Sequence, residues 1–146
     1  MIPEINYWAV LVAMVSSMIV GSVWYMPPVF GRRWAKLAGV DISGSEKTAA
    51  QAWMPIIVGV LMGFVTAWAL AGASAIAWHF YEGSFLVAAL VTAVLLWAGF
   101  TAARFITHDS FEGRSSSLTV LNIAHELVTV VFMAIIIGVW PPAGTV

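Results

Sequence analysis

The chain has 146 residues, 62% of them hydrophobic and only 9% charged, with a mean hydropathy of +0.96. A soluble domain carries about 25% charged residues, so a soluble globular domain and a disordered tail are both excluded. Six Lys and Arg against seven Asp and Glu leave a net charge of −1, with no basic stripe to neutralise phosphates and hence no nucleic-acid partner.

What remains is an integral membrane protein, a single all-α domain over residues 1–146. The expected architecture is a four-transmembrane-helix bundle with a long cytoplasmic first loop that contains a short interfacial helix. A helix needs about 20 mostly apolar residues to cross a hydrocarbon core of about 30 Å. The first span covers residues 5–25 and is stopped by Pro27-Pro28. It has no positive n-region and no A-x-A site at its end, so it reads as a retained span rather than a cleaved signal peptide. The second covers 53–78, with Pro55 in its first turn; the third covers 84–106; the fourth covers 117–140, closed by Pro141-Pro142. Unbroken apolar runs are the wrong pattern for the alternating strands of a membrane β-barrel.

The loop between the first two spans opens on Gly21-Ser22-Val23-Trp24-Tyr25-Met26-Pro27-Pro28-Val29-Phe30-Gly31-Arg32-Arg33-Trp34. As a pattern this is G-x-x-W-Y-x-P-x-x-F-G-x-x-W. It resembles the signature of a bacterial family of small four-span integral membrane proteins of unknown function, and the likeness extends more loosely along the whole chain. The resemblance implies four helices in a membrane and carries over no activity, cofactor or catalytic residue. Physically the motif reads as an elbow: Trp24 and Tyr25 anchor the end of the span, Pro27 breaks the helix, and Gly31 permits a tight turn. Beyond it, Phe30, Trp34 and Leu37 sit in the acyl boundary, while Arg32, Arg33 and Lys36 reach lipid phosphates. Asp41 to Glu46 reads as a turn, with Ser43 or Ser45 capping the helix that enters span two.

Charge and small residues set orientation and packing. All six basic residues (Arg32, Arg33, Lys36, Lys47, Arg104, Arg114) fall on one side of the four spans. The positive-inside rule assigns that side to the cytoplasm and places both termini outside the bacterial plasma membrane. Tyr7, Trp8, Trp78, Tyr81 and Trp140 are expected at the outer interface, and Trp24, Tyr25, Trp34 and Trp53 at the inner one. Ala9, Ala13, Ser17 and Gly21 recur every four residues in span one. Gly59, Gly63, Ala67, Ala71 and Ala75 do the same in span two. Small residues let backbones approach in lipid, so these faces form either a seam between the two spans or a homo-oligomer interface. Other membrane proteins are further candidate partners.

Span four carries the informative polar residues Thr119, Asn122, His125, Glu126 and Thr129, with Asn122, His125, Glu126 and Thr129 the candidate ion or substrate site. Counted from Ser117 at 1.5 Å per residue, Glu126 lies about 13 Å into the span, close to the midplane, with His125 beside it. An acidic group at a helix centre costs about 2.5–3.5 kcal/mol on insertion scales, so something must compensate it. One reading is a structural polar network with Trp68, Trp97, Ser or Thr groups. The other is a channel or proton-coupled transporter with Glu126 as carrier and His125 and Asn122 as relay. His79, His108 and His125 fall at three depths, which disfavours a bis-His haem, and no cofactor or metal is expected. Cysteine is absent, which removes disulfides, thiolate nucleophiles and Cys-ligated metals. With no Ser-His-Asp set, phosphate-cradling loop or HExxH motif, the chain reads as a non-enzyme that assembles or binds membrane components.

Overall fold

The computed structural model describes residues 3–40 and 49–143, for 49–52 the backbone alone. The 41–46 turn, its Ser43 or Ser45 cap and Lys47 lie outside the described residues. Everything regular among the described residues is helical.

Helix α1, Tyr7–Trp24, is started by Asn6, whose side-chain oxygen accepts the N–H groups of Trp8 and Ala9 at 3.1 and 3.2 Å. Such a cap contributes about 1 kcal/mol. The same side chain donates its amide to the carbonyl of Trp140 at 3.2 Å, so both ends of the chain meet at one end of the molecule. Pro27 and Pro28 then force a break, and the chain turns through a π-helical turn, Pro27–Gly31, into the short helix α2, Arg32–Ala38. The Gly31 N–H donates to the Met26 carbonyl at 3.0 Å. A Cβ on Gly31 would meet the backbone of Tyr25 and lie 2.9 Å from the Met26 carbonyl group, so the constraint at Gly31 is lack of space.

Helix α3, Ala49–Tyr81, begins before the apolar run does, which puts Pro55 inside the helix rather than in its first turn. Its membrane-length apolar stretch is Trp53–Tyr81. Glu82 and Gly83 take positive φ (59° and 89°) to reverse the chain. The third apolar run is one continuous rod, Phe85–Phe111, built from α4 (Phe85–Leu96), a π-helical stretch (Trp97–Ala102) and α5 (Ala103–Phe111). It outruns the expected end at residue 106 because helical hydrogen bonding continues after the hydropathy falls. Helix α6, Ser116–Val139, follows. Ser115 holds the capping position in extended backbone, but its side chain makes no capping bond.

The long helices form a closed ring: α1 packs between α6 and α3, and α4 packs between α3 and α6. Chain neighbours are therefore antiparallel spatial neighbours. The first and last described residues lie at one end, where Asn6 meets Trp140, and the described basic residues Arg32, Arg33, Lys36, Arg104 and Arg114 belong to the other, the basic end. Val10, Ala13, Ala67, Leu70, Ala89, Met133 and Ala134 fill the interior. Small residues set the helix spacing, as lipid-phase packing requires. A Cβ on Gly63 would come 2.9 Å from Ser17 Oγ and one on Gly59 3.6 Å from the Met18 side chain, which makes this face the α1–α3 seam. Gly21 departs from that seam and faces α6. The glycines of the stripe are thus packed against neighbours in the same chain. Gly138 admits the tightest approach between α4 and α6, with Leu86 Cα 2.8 Å from where its Cβ would stand.

Candidate functional site

Antiparallel packing of a short helix on a long one brings the polar residues of α6 to the elbow. Helix α1 has 18 residues and α6 has 24, about 27 Å against 36 Å at the helical rise. Their ends are flush at Asn6 and Trp140, so the last turn of α1 comes level with the middle of α6. A Cβ on Gly21 would lie 3.6 Å from His125 Nε2. The Trp24 ring stands edge-on to His125 at 5.8 Å between centroids, and Tyr25 is tilted against it at 5.0 Å. Trp24 also packs on Phe30 at 4.6 Å, and Tyr25 on Trp34 at 5.3 Å. His125 therefore closes an unbroken chain of rings from Phe30 through Trp24, His125 and Tyr25 to Trp34.

The other contacts of His125 are on its own helix. Nδ1 is 3.3 Å from Glu126 Oε1 and Nε2 is 3.5 Å from Thr129 Oγ1. The imidazole is nearly enclosed, its side chain 13% exposed, whereas the Glu126 side chain is 38% exposed. Glu126 is the group whose charge raises the problem of burial, yet His125 is the one shut in. Thr129 is buried and Asn122 half-buried.

The exposure of Glu126 has a specific cause. Thr119, Glu126 and Met133 are seven residues apart and share one stripe of α6, since two helical turns bring side chains back to nearly the same face. Thr119 is 7% and Met133 1% exposed. The stripe is covered above and below Glu126 and only half covered at it, so the described residues leave a hollow at that level. Helix α3 accounts for the opening: Gly59 stands opposite Met18, which sets residues 53–58 level with the last turns of α1, and all six are exposed. Towards the chain termini, Val10, Met133 and Ala134 close the axis with almost no exposure.

One polar atom in the wall is unsatisfied. The indole N–H of Trp24 is buried and has no acceptor among the described residues, a condition that costs about 1–3 kcal/mol. The expected indole partners of the polar pair lie elsewhere: Trp97 Nε1 donates to the Ile123 carbonyl at 2.8 Å, and Trp68 is exposed on α3. Arg32, Arg33 and Lys36 are exposed on α2, while Trp34 is half-buried against Tyr25 rather than free at a headgroup.

Beyond the hollow, the basic end is fastened by a second cluster. Asp109 is buried, accepts the Thr119 hydroxyl at 2.6 Å and lies 3.9 Å from Arg114 Nε, which also holds Glu112 at 2.6 Å. Arg114, and not the exposed Arg104, is thus the partner of both carboxylates. Among the described residues no three His, Asp or Glu side chains gather where a metal ion would be held. Sequence reasoning passed over Trp24 and Tyr25 as site residues. The available signal was two adjacent rings at the end of a span too short to match the polar one.

Four apolar helices of membrane-spanning length mark a multi-pass membrane protein. The family model described as "Protein of unknown function (DUF1761)" matches residues 8–138, and the chain belongs to that family. The match takes in the 21–34 motif and nearly all of the four long helices. No curated protein and no solved structure matches the chain.

Proposed function

We propose that this protein is a non-enzymatic, multi-pass component of the bacterial plasma membrane that binds another membrane constituent in the hollow beside Glu126. In this reading both termini face outward and the basic end faces the cytoplasm. From Val139, Glu126 lies about 20 Å down α6, on the cytoplasmic side of the middle of a hydrocarbon core of about 30 Å. The observation that carries the proposal is the half-buried Glu126 between the covered Thr119 and Met133. A polar hollow open at one level, under a packed interior, is the shape of a binding site rather than of a through-pore.

The test is mass spectrometry of amphiphiles that co-purify with the protein, comparing the wild type with Glu126→Leu, which fills and neutralises the hollow. A bound species present in the wild type and absent from the folded variant is expected. The same bound species in both would overturn the proposal. A second reading, proton-coupled transport, draws support from the 3.3 Å contact between His125 and Glu126, since an imidazole and a carboxylate can share a proton. Its test is proton flux in reconstituted vesicles: coupling requires a flux that Glu126→Gln abolishes, and no wild-type flux would remove it. Orientation is read from Lys36→Cys and Ala143→Cys, of which only the second should label from outside intact cells.

A further inference from the structure

The chemistry of the hollow specifies its occupant more narrowly. We propose that it seats the ammonium group of a zwitterionic phospholipid headgroup, with Glu126 as the counter-charge; this rests on the binding reading above. Among the described residues, His125 is the one side chain in contact with the Glu126 carboxylate, and it engages a single oxygen, Oε1. The second carboxylate oxygen is left for a donor in the hollow. Around it stand neutral groups, Asn122 and Thr129. The Tyr25 ring stands beside them, packed against His125 and Trp34. Carboxylate plus aromatic rings is a cation site: an ammonium gains a charge-assisted hydrogen bond and the attraction of the ring faces. An anionic group placed there would meet the carboxylate and no fixed positive charge.

The surroundings favour a lipid as the bearer of that ammonium. The hollow opens at the level where α1 gives way to the elbow, and α2 packs on α6 with Arg32, Arg33 and Lys36 exposed. A headgroup such as phosphoethanolamine carries its ammonium at the tip and its phosphate one short linker behind. Entered tip first, it brings the ammonium to Glu126 and leaves the phosphate on the side of the α2 cations. Positive charge outside and negative charge inside match that order and no singly charged headgroup.

Native mass spectrometry of the protein released from nanodiscs of mixed phosphatidylethanolamine and phosphatidylglycerol tests the assignment. Preferential retention of phosphatidylethanolamine is expected. It should fall at least about tenfold in Glu126→Gln, the scale of one charged hydrogen bond, and persist in Glu126→Asp, which keeps the charge. A second arm titrates free ethanolamine into protein held in phosphatidylglycerol nanodiscs. Binding heat that Glu126→Gln removes, without lipid preference, supports the ammonium site but names a soluble amine as its source. Preferential retention of phosphatidylglycerol overturns the ammonium assignment and leaves the binding reading standing. Retention of no amphiphile by the wild type, with no ethanolamine heat, overturns both.

Discussion

Gly31→Ala is the sharpest probe of the elbow that walls the hollow. The added methyl would sit 2.9 Å from the Met26 carbonyl carbon and oxygen and closer still to the Tyr25 carbonyl oxygen. All three are backbone atoms, so no side chain can swing aside. Relief requires opening the π-helical turn, which gives up the 3.0 Å bond from Gly31 to Met26, worth about 0.5–1.5 kcal/mol net. Overpacking adds about 1–3 kcal/mol, and replacing a helical glycine returns about 0.5–1 kcal/mol. The net destabilisation is about 0.5–4 kcal/mol, which at about 2–4 °C per kcal/mol for a chain of this size lowers the Tm by roughly 1–16 °C. Gly99→Ala is the control, because no atom lies within 4 Å of its Cβ position; it should melt at or above the wild-type temperature. Melting followed by circular dichroism in one detergent reads both. If Gly31→Ala melts with Gly99→Ala, the elbow is not held by that close approach and the reasoning fails.

Other consequences are equally direct. Gly138→Ala would drive a methyl to 2.8 Å from Leu86 Cα, and the same melting assay should show a loss of about 1–3 kcal/mol. Asp109→Ala leaves the Thr119 hydroxyl only its longer 3.4 Å bond to the Ser115 carbonyl and Arg114 only Glu112; hydrogen exchange should rise in the first turn of α6 and stability fall by about 1–3 kcal/mol. Trp97→Phe removes the 2.8 Å bond to the Ile123 carbonyl and should cost about 0.5–1.5 kcal/mol in the melt; an unchanged Tm would mean the bond is replaced by another.

Hydropathy made the four spans legible because lipid leaves a backbone few choices. Their ends were less so. The rod ending at Phe111 and the early start of α3 at Ala49 follow from hydrogen bonding that continues where apolar character stops. The small-residue spacing picked out the faces that carry Ser17 and Gly63 without saying what they meet, and it could not separate Gly21, which shares the periodicity and faces another helix. The polar residues of span four were visible as a group. Their neighbours were not, since the pairing of Trp24 and Tyr25 with His125 depends on the length difference between α1 and α6, a fact about register. Burial order was hidden for the same reason: His125 is enclosed by rings from a distant part of the chain, while Glu126 faces a gap that no local pattern encodes.

The hollow itself is open to direct measurement, since the chain contains no cysteine and single thiols can be introduced without background. In protein reconstituted in bilayers, Glu126→Cys should react with a small water-soluble maleimide, and Met133→Cys, two turns along the same stripe, should not. Equal protection of the two positions, or faster labelling at 133, would contradict a polar cavity opening at Glu126.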